Sequence, residues 1–262
     1  MAEPHDKSVR AFYDGLAAGY DALFDDWWTA ARRHGHVIDG VLRAVGVVPG
    51  ERVLDCACGI GTQAIPLAWR GYEVTGTDIS AEAVARARRE AAARAIDLQL
   101  AVADMRALDA AVSGPFDAVI ACDNAIPHLL DDAELDAALR SIARVLADGG
   151  VFLASVRDYD VLAAQRPAGL PGVLRERPGG REIVGQAWEW HEEHDRVRIH
   201  LFVLREQRSG TWAAEVHTTW YRVLTRAKLD AALARTGYVD VEWHEPDESG
   251  YYQPIVTARA GR

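Results

Sequence analysis

The chain has only three cysteines, Cys56, Cys58 and Cys122, too few for the disulfide framework of a small secreted fold. Cys56-Ala57-Cys58 offers zinc a single, unusually tight pair, and no second pair follows it. No metal is therefore expected. No stretch approaches the roughly 18 consecutive apolar residues that a membrane-crossing helix needs. Residues 1–20 lack the apolar segment of a secretory leader. Positive charge is in deficit, with 29 Lys+Arg against 39 Asp+Glu and a formal net charge of -10. That balance argues against a nucleic-acid partner, which is held by clustered Lys and Arg. These absences lead to the expectation of a reduced, cytoplasmic protein that handles a small molecule, without membrane or nucleic acid. Assembly as a homo-oligomer stays open.

What is present suits a packed α/β fold. With 49% hydrophobic residues over 262, the chain can bury a sizeable core unaided. Residues 8–22 and 26–45 show apolar positions at helical spacing, and Pro49-Gly50 closes that region with a turn. Strands then alternate with helices, as in a parallel sheet with crossovers. The strands are expected at Arg52–Cys56, Glu73–Thr77, Leu98–Val102, Phe116–Ala121 and Val151–Val156. Helices are expected at 62–70, 81–94 and 132–146. Residues 161–181, rich in proline, read as a loop. Period-2 alternation follows at 182–192, 196–207 and 212–222, predicting an inserted antiparallel sheet. A helix at 225–236 and strands at 238–243 and 252–259 complete the pattern.

The most informative segment is Val53-Leu54-Asp55-Cys56-Ala57-Cys58-Gly59-Ile60-Gly61-Thr62. An apolar strand runs into a glycine turn and then a helix N-terminus, so a ligand can lie directly on backbone. Gly59-x-Gly61-x-x-Ala64 also overlaps the dinucleotide fingerprint. Asp78 ends the second strand and is placed for ribose hydroxyls in either cofactor class. Two carboxylates separate the classes. Asp55 would sit beside a dinucleotide's pyrophosphate, which has no use for it. Asp104, after the third strand, has no standing role in a dinucleotide site.

Asp55-x-Ala57-x-Gly59-x-Gly61, together with Asp78 and Asp104, resembles class I S-adenosylmethionine (SAM)-dependent methyltransferases over roughly residues 50–156. The resemblance implies a Rossmann-like seven-stranded methyltransferase sheet of α/β class, with an N-terminal helical cap and the inserted antiparallel β-sheet. It implies a single domain: cap 1–48, cofactor-binding core 50–160, inserted sheet or lid 161–222, and a return to the core over 223–262. SAM is the expected cofactor and S-adenosylhomocysteine the product. Its expected contacts are Asp55, Ala57, Cys58, Gly59, Gly61, Asp78, Ile79, Asp104, Met105 and Cys122, with Tyr20 and Trp28 closing the site from the N-terminal helices. Gly61 is expected in the cofactor's path, and Arg32 or Arg33 is a candidate for the SAM carboxylate.

A narrower resemblance is to the glycine N-methyltransferase family, through Asn124-x-x-x-His128-Leu129 and Arg157-Asp158-Tyr159-Asp160, where Asp158 stands in place of the family's Asn. It implies that Arg157 binds a substrate carboxylate, which a planar guanidinium suits, and that Asn124 contacts substrate. Tyr159, in the same segment, and Tyr252, entering the last strand, are further substrate candidates. His128 is the candidate base, with Asn124 beside it. The expected activity is N-methylation of a small amine or amino acid. Two alternatives are an O- or C-methyltransferase acting on a natural product and a SAM-binding partner without turnover. Trp188, Trp190, Trp212, Trp220 and Tyr221 read more readily as packing between sheets than as a pocket.

Overall fold

A computed structural model describes residues 5–177 and 179–261. The chain opens with helix α1 (His5–Leu16), a 3-10 segment (Ala17–Leu23) and helix α2 (Trp27–Ala44). The expected continuous helix over 8–22 is therefore broken. The reason is a side chain from elsewhere: Arg86 Nη1 takes the carbonyls of Ala17 and Ala18, both at 2.9 Å. Those carbonyls are thereby drawn off the helical ladder.

The central sheet joins β1 (Arg52–Asp55), β2 (Glu73–Asp78), β3 (Gln99–Val102), β4 (Phe116–Ala121), β5 (Leu146–Ser155), β10 (Tyr238–His244) and β11 (Ile255–Ala260). Its order is β10-β11-β5-β4-β1-β2-β3. β1 to β5 pair in parallel, while β11 runs antiparallel to β5 and β10 antiparallel to β11. β1 and β4 are buried almost throughout, as strands covered on both faces must be. The crossovers, of which helix α3 (Ala64–Trp69) is the first, follow from local chemistry. Helix α4 (Ala81–Ala92) starts where the Ser80 side chain accepts from Ala83 N–H, and it buries Ala83, Val84, Ala87 and Ala91. Helix α5 (Asp132–Val145) is capped by Asp131 and buries Leu135, Ala138, Leu139 and Ile142. Capping of this kind is worth about 1 kcal/mol each.

The second sheet is β6-β7-β8-β9, all antiparallel, formed by Gly169–Arg177, Gly180–His191, Arg196–Glu206 and Trp212–Arg222. The loop expected over 161–181 is instead the end of helix α6 (Tyr159–Gln165) and the edge strand β6. Pro171 falls within the register shift between Leu170 and Val173. An edge strand with an irregularity is where a residue without an N–H is tolerated. Val197, Ile199, Leu201 and Val203 alternate along β8 and are buried. Leu201 and Val203 meet Phe12 and Leu16 of α1, while Val197 and Ile199 join the core shared with the main sheet. The inserted sheet therefore roofs the carboxyl ends of the parallel strands. Helix α7 (Arg226–Arg235) and the short α8 (Pro246–Ser249) complete the chain. No described helix is long and apolar enough to cross a membrane.

Candidate active site

Open α/β sheets hold ligands outside the carboxyl ends of the strands, where the strand order reverses. Here that point lies between β1 and β4. The chain leaving β1 turns through Gly59 (φ +52°) and Gly61 (φ +94°), conformations that glycine adopts without steric cost. Gly59 N–H donates to Asp78 Oδ2 at 2.8 Å, and Ser80 N–H to Oδ1 at 2.9 Å. Ala57 N–H reaches Asp55 Oδ1 at 3.3 Å, whereas Asp55 Oδ2 is buried with no hydrogen-bond partner. Burial pushes the Asp55 carboxyl up to about 8, and the nearby charges of Asp78 and Asp123 add to the rise. Burial also raises Asp78, with Asp14 contributing. Uncompensated carboxylates in a low-dielectric cleft form a place for a cation.

The cavity above this turn holds about 840 Å³, its open mouth included. Ala57, Cys58, Gly59, Asp78, Ile79, Asp104, Met105 and Cys122 line it, together with Tyr20 and His128. Asp55, expected among the contacts, is not itself in the lining; its unpartnered Oδ2 is buried behind Cys56 and Ala57, which are. Asp104 shares its carboxylate with the Arg106 guanidinium. Burial pushes Asp104 up, but Arg106 outweighs it and holds the group below the usual carboxylate range.

Three further expectations for this cavity are corrected. Gly61 is behind the wall, since a Cβ there would lie 2.5 Å from Ile65 Cδ1. The glycine serves helix–strand packing and not the cofactor's path. Trp28 is also outside the lining; the Arg94 guanidinium covers its ring at 4.2 Å, which holds the indole against a different part of the core. Neither Arg32 nor Arg33 is among the lining residues.

A second, larger cavity of about 2030 Å³, open mouth included, adjoins the first beneath the inserted sheet. Tyr13, Tyr20 and Asp123 line both. Arg157 and Tyr252, the expected substrate contacts, line the second. The Arg157 guanidinium stands over Trp188 at 5.0 Å and Tyr221 at 5.3 Å. Its Nη1 is buried without a hydrogen-bond partner among the described residues. Its acidic neighbours in sequence are engaged elsewhere. Asp158 caps α6 through Val161 N–H, and Asp160 accepts from Arg226 N–H.

Asn124 and Tyr159 are not in either lining, and this corrects their expected contact with substrate. Asn124 is 1% exposed. Its Oδ1 accepts from Arg157 N–H and its Nδ2 donates to Tyr159 Oη, each at 3.0 Å. Both ends of the amide are used, and Tyr159 is fully buried in the core. The pair holds the Arg157 backbone in place. His128 is buried, with Nε2 2.8 Å from Tyr13 Oη and its ring 4.2 Å from that of Tyr221. It ties α1 and β9 to the strand-four loop.

The residue sequence reasoning undervalued is Asp123, at φ +57°. Its Oδ1 accepts from Tyr251 Oη and from Tyr252 Oη (2.9 Å), and its Oδ2 accepts from Gln63 Nε2 (2.8 Å). Those donors lie far away in sequence, so no local spacing announced them. Trp188 and Tyr221 likewise line the second cavity, whereas Trp190, Trp212 and Trp220 do not.

The methyltransferase-domain family matches residues 53–150. A glycine/sarcosine N-methyltransferase of Parasynechococcus marenigrum (strain WH8102) is 34% identical over 157 residues, 60% of this chain and 54% of that protein. The aligned part thus spans about half the length of that relative. Among solved structures, the CcbJ methyltransferase of Streptomyces caelestis superposes with a TM-score of 0.76 at 22% identity, covering 96% of this chain and 98% of that one. SAM-bound CalS10 of Micromonospora echinaspora, described as an amino pentose methyltransferase, gives 0.72 at 23% identity, covering 93% and 95%.

The first cavity fits SAM on chemical grounds. Its ammonium would satisfy Asp55 Oδ2, its ribose diol suits Asp78, and its adenine has apolar walls in Ile79, Met105 and Leu129. The fold is shared along nearly its whole length with such proteins, and residues 53–150, which include the strands that build this cavity, match the methyltransferase-domain family.

Proposed function

We propose that the chain N-methylates a small amine or amino acid that bears a carboxylate, with SAM as donor. The observation that carries this reading is Arg157, a half-buried guanidinium fork with a buried, unpartnered Nη1 and no ion pair among the described residues, lining the cavity next to the cofactor's. A carboxylate matches that fork bidentately, and the ring faces of Trp188 and Tyr221 keep it flat and dry. The likeness to a glycine/sarcosine N-methyltransferase supports the same acceptor chemistry.

In this reading Asp55 receives the cofactor's ammonium, Asp78 its ribose hydroxyls, and the 57–59 backbone its amino-acid end. The bound cofactor supplies an electrophilic methyl group on sulfonium sulfur. The chain's task is then to align a neutral nitrogen with that methyl. Positioning of this kind supplies up to about 7–11 kcal/mol of a barrier. Arg157 fixes the acceptor's carboxylate, Asn124 fixes Arg157, and Asp123 stands where the two cavities meet. An α-amino group titrates near pH 8 at a peptide N-terminus and higher beside a free carboxylate, so the acceptor enters mainly as an ammonium and gives its proton to solvent before attack. His128, already joined to Tyr13 and packed against Tyr221, serves as part of the wall.

The test is S-adenosylhomocysteine release from SAM with glycine, sarcosine, dimethylglycine, larger amino acids, simple amines and phenols. Turnover of amines that carry a carboxylate, inhibited by acetate, is the expected result. Turnover confined to acceptors without a carboxylate would overturn it. That outcome would favour the O- or C-methyltransferase reading, for which the roomy second cavity is the supporting observation.

A further inference from the structure

The second cavity is far larger than a glycine needs. Pockets for drug-sized ligands run about 300–1,000 Å³, and the room inside this one for water-sized molecules, about 770 Å³, falls within that range. Its walls divide by polarity. Phe12, Leu16 and Leu23 from the N-terminal helices face Val184, Ile199 and Leu201 of the inserted sheet across it. Most of its polar groups are already engaged. Arg175 is paired with Asp25, Gln186 accepts from Trp188 Nε1, and Gln253 accepts from Ser155 Oγ. Arg157 keeps an unpartnered Nη1.

Asp123 is the complement of Arg157. Three neutral donors hold its carboxylate, and no cation pairs with it among the described residues. Three bonds leave one of its roughly four lone-pair sites open. Because it lines both cavities, an N–H placed on that site lies at the passage between acceptor and cofactor.

Resting on the proposed amine methylation, we infer that the acceptor is an amino acid, or a molecule built like one, with a bulky apolar side group. Its carboxylate lies on Arg157, its amine donates to Asp123, and its side group fills the apolar space between α1 and the four-stranded sheet. The amine's lone pair forms the new N–C bond as the C–S bond breaks and leaves its electron pair on sulfur. The extra proton of the resulting ammonium passes to solvent.

The experiment compares kcat/KM for glycine, leucine, phenylalanine and tryptophan at saturating SAM, in the native chain and in Val173→Trp. Val173 lines the cavity and is 46% exposed on the edge strand, opposite Val184, so the larger ring narrows the space from a tolerant position. SAM affinity within about twofold of the native chain certifies the fold of the variant. The expected result is a phenylalanine-to-glycine ratio of at least about tenfold, as apolar pockets commonly achieve, with that ratio falling about tenfold in Val173→Trp. Glycine matching or exceeding the larger acceptors overturns this inference and leaves the proposed function standing. No turnover of any carboxylate-bearing amine removes the proposed function, and this inference with it.

Discussion

The two adjoining cavities share three wall residues, Tyr13, Tyr20 and Asp123, yet they are assembled in different ways. Most of the cofactor cavity comes from the loops that directly follow β1, β2, β3 and β4. Backbone N–H groups and carboxylates do most of the work there, and each sits within a few residues of its strand. The acceptor cavity draws on α1, the 3-10 segment after it, α6, four strands of the inserted sheet and the segment from Pro246 to Pro254. Its polar centre, Asp123, is held by residues 60 and 128 or 129 positions away in sequence. A site made of strand ends tolerates few changes, because the backbone itself is the binding surface. A site made of distant side chains can change one contact at a time.

That contrast can be broken or sharpened by substitution. The largest effect is expected from Gly61→Val. Its Cβ would collide with Ile65 from a backbone at φ +94°, and overpacking and strain together cost about 3 kcal/mol or more. Calorimetry should find no SAM binding, with a marked fall in Tm. Intact binding would mean that the turn has more room than its geometry allows.

Asp55→Asn comes next, with SAM affinity expected to fall about 10- to 100-fold, the range for a lost hydrogen bond to a charged group. It also carries a pH signature. With its carboxyl near 8 in the free protein, Asp55 must lose a proton to receive an ammonium. SAM affinity should therefore weaken by up to about tenfold per unit as pH falls below about 8. Titration calorimetry in two buffers of different ionisation enthalpy should detect close to one proton released, and none in Asp55→Asn. The sign for the free fold is opposite. A carboxyl raised on folding stabilises the native state while protonated, fully below about pH 4. That stability is lost as pH climbs through about 8. The unliganded variant should accordingly melt higher than the native chain at pH 8.

On the acceptor side, Arg157→Ala should raise KM for a carboxylate-bearing amine about 10- to 100-fold while SAM affinity stays within about twofold. Equal losses on both sides would erase the division between the cavities. The smallest effect is expected from Tyr252→Phe. This exposed ring gives Asp123 one of its three donors, and its loss should lower kcat/KM for the acceptor about three- to tenfold, as a neutral hydrogen bond does.

The same division runs through what could be read before folding. The parallel strands, their helices and the three strands β7 to β9 were legible, because burial on one or both faces imprints a period on the sequence. Asp55, Gly59, Asp78 and Asp104 were legible as a set because the fold places them at or just past the ends of β1, β2 and β3. Strand β6 was not, since Pro171 and Gly172 mimic a loop, and only pairing with β7 makes them a strand. Trp28 and Gly61 were misassigned because a sequence places residues near a site without saying which way they point. Asn124 and Tyr159 were assigned to substrate, but they satisfy each other and the Arg157 backbone.

The sequence by itself determined the architecture and the cofactor, because both rest on local patterns: hydrophobic period, capping, a glycine turn and carboxylates at fixed offsets from strand ends. Only the tertiary structure decided the acceptor side. It left Arg157 without a counter-ion among the described residues and Asp123 with three neutral donors, and it made a roof of the inserted sheet. Each of those facts is a contact between segments far apart in the chain, and the free energy of such a contact exists only once both segments are in place.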